Sequence, residues 1–344
     1  MTTPARDSRR SILAFAIPVS VVWTGWLFLM SGRDLWHLFA TNWFMSVTMA
    51  FGSFVAGATS EGGGAVAFPV MTLVFGISPT IARDFSLMIQ TVGMNAAAFA
   101  IVLLGIPVEW RVIRWASLGG TLGIVFGLEF VTLAPARAKM LFVSTWLAFA
   151  VALYLINRYR DREVHRRIQA FRRRDALLLL ATGIVGGIVS SVTGSGLDIT
   201  TFAVIVLYMS LSEKVATPTS VILMGLNAGV GFLYRGVFGG GAEGISTEAW
   251  GFWYVCVPIV VVGAPLGSWF IRGRSRLWIA GFLYLSIAAQ YIWALIVLDV
   301  PRQPRLAVFS LVILTAGAMA FLHLARAGRR RLERNSVPVR APSG

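Results

Sequence analysis

Two stretches of small residues could do chemistry in this chain. They are Ala58-Thr59-Ser60-Glu61-Gly62-Gly63-Gly64 and a weaker echo, Ser191-Val192-Thr193-Gly194-Ser195-Gly196, each set inside a long apolar run. After each break the chain resumes as a short helix, near Gly64 and near Gly196. A helix N-terminus offers unpaired N–H groups and a partial positive charge of roughly half a unit, and glycines let an anion approach that backbone closely. Ser60, Thr193 and Ser195 stand beside the glycines and join them as candidate ligands. The bland alternative is that the glycines only permit tight helix crossing. Their pairing at matching places in the two halves favours a binding site for a small anion.

Glu61 and Asp198 flank the breaks. Carboxylates inside a membrane are costly and usually functional, so these two are candidates for binding a coupling ion such as a proton. The alternatives are an aqueous position for Glu61 and a helix cap for Asp198. Ser86 and Ser220, and the amides Asn95 and Asn227, recur at repeat-matched positions within apolar helices and are candidate site lining. Amides in such helices also serve as interhelical ties, the reading preferred for Gln90. Asp84 and Thr217-Pro218 read as helix starts, by cap and first-turn proline chemistry. Arg83 and Arg235 read as surface anchors, with attraction of anions at a vestibule as the alternative.

The elements that must position these residues are membrane helices. Of 344 residues, 57% are hydrophobic and 13% charged, with mean hydropathy +0.75; soluble domains carry about 25% charge. The net charge of +15 sits in short arginine-rich stretches between apolar runs, a positive-inside pattern rather than a nucleic-acid footprint. The lone Cys256 and the scattered His37, His165 and His323 argue against a disulfide, a metal site or a cofactor.

In order, residues 1–42 hold an arginine-bearing tail and a first membrane helix at 12–30; its length and Trp23 and Trp26 favour a retained helix over a cleaved signal. Residues 43–157 form a first membrane unit and 176–298 a second. Between them lies a basic loop, 158–175, with eight arginines. A last helix occupies 299–325 and a basic tail 326–344. The arginine-rich segments place both termini in the cytoplasm of a multi-pass inner-membrane protein; Arg137 and Lys139 fall on the other side, against the rule. The half-segments 65–75 and 199–209 are too short to span comfortably.

The two units match at intervals: Gly62 and Gly64 with Gly194 and Gly196, Ala82 and Ser86 with Ala216 and Ser220, Gly93-Met94-Asn95 with Gly225-Leu226-Asn227, and Gly123 and Gly127 with Gly263 and Gly267. Five elements per unit force the second to enter from the opposite face. The fold class is therefore an all-α polytopic membrane protein with inverted-topology repeats. Each repeat carries a broken helix, and one extra helix stands at each terminus.

Gly62-Gly63-Gly64, then Phe68-Pro69-Val70, then Ala82 to Ser86, resembles the signature of the TauE/SafE sulfite exporter-like family. The second copy, Gly194-Ser195-Gly196 followed by Val215-Ala216-Thr217-Pro218-Thr219-Ser220, is similar, and the resemblance covers about residues 43–298. It implies a multipass permease for sulfite, a sulfonate or a related organosulfur anion. This chain departs from the signature at Glu61, at Asp198-Ile199-Thr200-Thr201 and at Arg83-Asp84-Phe85. The expectation is a secondary transporter, not an enzyme, working by alternating access, with membrane lipid as its surroundings and no nucleic-acid partner. A homo-oligomer, an anion channel and a non-transporting membrane assembly subunit are left open as alternatives.

Overall fold

In the computed structural model the described residues are 4–59, 62–159, 164–240, 244–271 and 273–336. The long apolar runs form α1 (Pro4–Gly32), α2 (Leu38–Ala58), α4 (Pro79–Leu103), α5 (Trp110–Phe130), α6 (Pro135–Tyr159), α7 (Arg173–Thr193), α9 (Glu213–Gly236), α10 (Thr247–Ile271), α11 (Arg276–Val297) and α12 (Pro304–Ser336). The two short segments are α3 (Gly62–Pro69) and α8 (Leu197–Ala203), each widening into π-helical turns at Val70–Val74 and Val204–Tyr208. Among the described residues there is no strand beyond a lone bridge between His165 and Leu211. Among the described residues, nine helices are long and apolar enough to cross a membrane by length and composition.

Glycine contacts fix the directions of the helices. A Cβ on Gly57 of α2 would clash with the Ala264 carbonyl of α10, and Ser46 Oγ donates to Val255 O at 2.9 Å while Ser268 Oγ donates to Gly57 O at 3.0 Å. A Cβ on Gly119 of α5 would lie 2.0 Å from Leu180 O of α7, and one on Gly127 2.1 Å from Ser191 Oγ. Backbones this close exclude any side chain. Residue numbers rise together in both pairs, so each pair runs parallel. Trp253 Nε1 bonds Met88 O, and Gly93 faces Val260, so α4 runs with α10. Asn95 meets Gly225 while Leu87 meets Gly231, so α4 opposes α9. Gly120 meets Asn227 and Gly231 meets Ile124, so α9 runs with α5. Hence α2, α4 and α10 run one way and α5, α7 and α9 the other. Corresponding helices of the two five-element units are antiparallel, the relation an inverted repeat requires. The first helix of each unit packs against the fourth helix of the other.

One offset of 134 residues relates the half-segments: Val70 to Val204 at the π turns, Gly76 to Ser210 at positive φ, and Ser78 to Ser212 before α4 and α9. Because α4 and α9 are uninterrupted, that offset continues along them. It pairs Ser86 with Ser220, but not Asn95 with Asn227: the matching Gly-x-Asn letters sit two residues out of register. Two helix starts also differ from expectation. α4 begins at Pro79 behind the Ser78 cap, whose Oγ accepts from Ile81 N, so Asp84 lies inside the helix. α9 begins at Glu213, leaving Pro218 in its interior.

Prolines inside helices free carbonyls four residues back. Pro258 in α10 frees Tyr254 O, and Trp26 of α1 donates its indole N–H to that oxygen at 2.7 Å; Trp23 does the same to Pro258 O at 3.0 Å. These bonds dock α1 antiparallel to α10. Arg10 lines a surface pocket with Leu103 and Gly105, so the start of α1 shares a face with the end of α4. The start of α7 and the end of α12 lie on that face too, joined by Arg331 to Asp175 at 2.9 Å.

On the same face the Glu109 carboxylate receives Arg111 at 2.7 and 2.8 Å and the Ile168 N–H at 3.2 Å, tying the basic loop to α5. Burial raises the Glu109 carboxyl, but the Arg111 and Ile168 hydrogen bonds and the Arg111 charge outweigh it and hold it below the usual carboxylate range. On the opposite face Lys139 donates to Thr72 O at 2.7 Å, near the C-terminal end of the first half-segment. A cation there is favoured by the helix dipole, which accounts for a lysine on the side where topology alone would not place one.

Candidate functional site

The second break is described in full. α7 stops at Gly194, whose φ of +76° is left-handed and whose N–H returns to Ser190 O at 2.7 Å. Glycine takes that conformation without the Cβ penalty. The Ser190 hydroxyl accepts from Leu197 N at 3.0 Å, Thr193 Oγ1 donates to Ser195 O at 2.7 Å, and Ser195 Oγ donates to Asp198 Oδ2 at 3.1 Å. Asp198 is buried in the first turn of α8. The positive end of this half-helix is thus already met by one hydroxyl and one carboxylate. The 12-residue second arm, Leu197–Tyr208, rises only about 18 Å. It ends where Tyr208 meets Arg331, on the face where α7 began, so this broken pair is a hairpin with one full and one half-length arm.

The floor of the break comes from the other unit. Gln90 Nε2 of α4 donates to Gly194 O at 2.7 Å and to Ser86 O at 2.9 Å. A Cβ on Gly194 would lie 2.5 Å from Ser86 Cβ and 2.8 Å from Arg83 O. Ser86 Oγ and Gln90 Oε1 are buried and make no hydrogen bond. Buried polar atoms in that condition are few in native proteins and often mark a functional site.

Beside them lies a charged cluster that sequence reasoning missed. Asp84 pairs with Arg83 at 2.8 Å, accepts from Arg235 Nη2 of α9 at 2.9 Å and lies 2.9 Å from Arg235 Nε; the three side chains, Asp84, Arg83 and Arg235, are 2%, 14% and 4% exposed. Arg235 also bonds Gly240 O and Gly244 O at 3.2 Å. Neither arginine is a surface anchor. Two guanidiniums converge on one buried carboxylate beside the break.

Ser60 and Glu61 lie outside the described residues. Gly62, Gly63 and Gly64 open α3. Just before that break, Gly57 and Ser268 line a pocket of about 270 Å³ with Ile101, Arg166, Lys214 and Pro218. One turn further in, a void of about 10 Å³ is lined by Ser53, Ala56, Gln90 and Gly93. Ser53 Oγ there also makes no hydrogen bond. Ser53, Gln90 and Ser86 therefore form a polar line from the pocket to the second break.

The breaks do not meet at one level, as the sequence suggested. Along α4, Gln90 serves the second break while Ile101 lines the pocket beside the first, about 16 Å further along. The reason is geometric. Each hairpin leans on the early turns of the other unit's third helix, and those helices are antiparallel.

The amides also divide. Asn95 donates to Thr91 O at 2.7 Å and Gly225 O at 3.1 Å, an interhelical tie. Asn227 is buried with both amide atoms unbonded, and Gly120 is the small residue that makes room for it beside Leu197. Ser220 Oγ donates to Thr217 O at 2.8 Å, whereas Thr217 Oγ1 has no partner. Among the described residues no three His, Cys, Asp or Glu side chains come together to hold a metal.

Comparison with known proteins gives one match. Residues 44–291 match the family model described as Sulfite exporter TauE/SafE, covering both units and both breaks. Neither curated proteins nor solved structures give a match. With the spans, the broken helices and this match in hand, the chain is a multi-pass membrane protein belonging to the TauE/SafE family of sulfite exporters.

Proposed function

We propose that this protein is a secondary transporter for a small sulfur oxyanion or sulfonate, held at the second break. The observation that carries this is the juxtaposition of Gly194, the unbonded hydroxyl of Ser86, Gln90 and the buried guanidiniums of Arg83 and Arg235 around Asp84. Buried guanidiniums beside the break favour an anion there. Ser86 Oγ can donate to that anion, and Thr193, Gly194, Ser195 and Gly196 are the candidate ligands from the break itself. Asn227 lies near the start of the same half-helix. The break residues Ser60, Gly62, Gly63 and Gly64, with Ser220 and Asn95, contribute on the pseudo-symmetric side.

The transport step is alternating access, with the two hairpins shifting against α4 and α9. The arginine-rich face is cytoplasmic in an inner membrane by the positive-inside rule, and the pocket at Gly57, Arg166 and Lys214 is the vestibule on that side. Asp198 and Glu61 are the candidate coupling-ion carboxylates. For Asp198 the Ser195 hydroxyl supports a capping role beside it.

Purified protein in liposomes, loaded with sulfite, a short sulfonate, sulfate or acetate, tests the reading. Saturable flux of sulfite or the sulfonate, lost in Ser86→Ala and Arg83→Gln, is expected. Equal flux of all four anions, or flux indifferent to both substitutions, would overturn it.

A further inference from the structure

Away from the breaks, α12 carries a feature the transport reading does not use. On the arginine-rich face a pocket of about 460 Å³ opens between the end of α12, the segment leading into α7 and the tip of the second hairpin. Four arginines of α12 line it, Arg326, Arg330, Arg331 and Arg334, and Arg172 and Arg174 face them. Among the described lining residues Asp175 is the one carboxylate, and Arg331 already holds it at 2.9 Å. Arg331 also donates to Gln169 O at 3.1 Å, and its Nη1 is buried with no hydrogen bond. The pocket is thus strongly cationic, with fixed walls and donor capacity to spare.

We infer that this pocket binds the phosphate headgroup of an anionic phospholipid. Guanidiniums match phosphate geometry with paired N–H donors, and basic pockets between membrane helices are suited to such headgroups. The placement favours lipid over a soluble phosphate. α12 is largely unburied, and Leu311, Val312 and Met319, 61%, 54% and 66% exposed, continue from the pocket along its membrane part as an apolar surface for acyl chains.

The lipid would also touch the transport machinery. Tyr208, the last residue of the second hairpin, lines the pocket and lies under Arg331, its ring centroid 5.3 Å from the guanidinium carbon. A Cβ on Gly328 would be 2.4 Å from Leu207 O, so α12 sits directly on the hairpin's end. A headgroup bridging Arg172 or Arg174 to Arg326 and Arg330 would clamp that end in place.

The experiment measures binding and thermal protection of the full chain in neutral detergent. Its arms are phosphatidylglycerol, cardiolipin, phosphatidylcholine, inorganic phosphate and glycerol phosphate. Two triple variants are compared: Arg326→Gln/Arg330→Gln/Arg334→Gln in the pocket, and Arg10→Gln/Arg114→Gln/Arg274→Gln on the same face outside it. The expected result is that the anionic lipids raise the unfolding midpoint of wild type and of the control triple. The pocket triple should fold and bind them at least tenfold more weakly. Equal binding by the pocket triple, or an equal loss in the control triple, would overturn the site. Full protection by inorganic or glycerol phosphate at matched concentration would overturn lipid as the ligand. If the pocket triple does not fold, Arg326→Gln alone in the same titration decides: unchanged lipid affinity would overturn the proposal.

Discussion

Gln90 of α4 donates its amide to the carbonyl of Gly194 at 2.7 Å, across 104 residues of chain and from one unit to the other. Gly194 is where α7 breaks, so the end of one unit's hairpin is held by the third helix of its counterpart. The second Gln90 donor bond, to Ser86 O, fixes the amide plane and leaves Oε1 toward the small void beside Ser53.

Replacing Gln90 by Leu leaves the Gly194 carbonyl buried without a donor. A lost partner of that kind costs about 1–3 kcal/mol. The expected outcome is a lower thermal midpoint and anion flux reduced at least tenfold in liposomes. An unaltered midpoint with unaltered flux would show that the bond positions nothing.

Gly194→Ala meets three obstacles, a Cβ 2.5 Å from Ser86 Cβ, the Arg83 carbonyl 2.8 Å away and a left-handed backbone at φ +76°. Adding Ser86→Gly removes only the first; the Arg83 carbonyl stays in place, and the left-handed backbone costs an L-residue about 1–2 kcal/mol. Thermal midpoints should therefore fall in the order wild type, double variant, single variant. A double variant no better than the single one would remove the steric account.

Arg83→Gln takes away one guanidinium beside the break while leaving the Asp84–Arg235 pair intact. Anion affinity should drop at least tenfold with little change in folding. Asp84→Asn removes the carboxylate that both buried guanidiniums share, and should destabilise by about 3–5 kcal/mol. Isothermal titration with sulfite and a denaturation series separate the two effects. Equal loss of affinity and stability in both variants would contradict the assignment.

Acid should loosen the basic loop through Glu109. Its folded-state carboxyl lies below the ordinary value of 4.5, so the tether to Arg111 and Ile168 is fully present above that value. The tether is lost as pH falls through the folded value. Proteolysis or hydrogen exchange of the loop should rise as pH drops below about 4.5 in wild type, and be insensitive to pH in that window in Glu109→Gln. Identical pH profiles would exclude Glu109 as the group involved.

Residues acting through neighbours along the chain were legible in the sequence. The apolar runs gave the spans, and glycine at 62–64 and 194–196 gave the breaks, because a left-handed or closely approached backbone selects glycine locally. Arg83, Asp84 and Arg235 were misread because their partnership spans 151 residues. Taken alone, Asp84 before an apolar run looks like a cap and Arg235 after one looks like an anchor. Pro218 misled for a related reason. The polar Ser212-Glu213-Lys214 that in fact opens α9 reads as loop until tertiary packing buries Glu213. The match of Asn95 with Asn227 followed letters, whereas uninterrupted helices keep a single register.

The exchange of first and fourth helices between units bears on how the protein is made. As α2 leaves the ribosome, the surface around Gly57 that α10 will cover has no mate for roughly 200 residues of synthesis. α5 waits only until α7, the next helix but one. The early half must therefore sit in the bilayer unfinished, and severing the gene between α6 and α7 should yield fragments that are functional only when co-expressed.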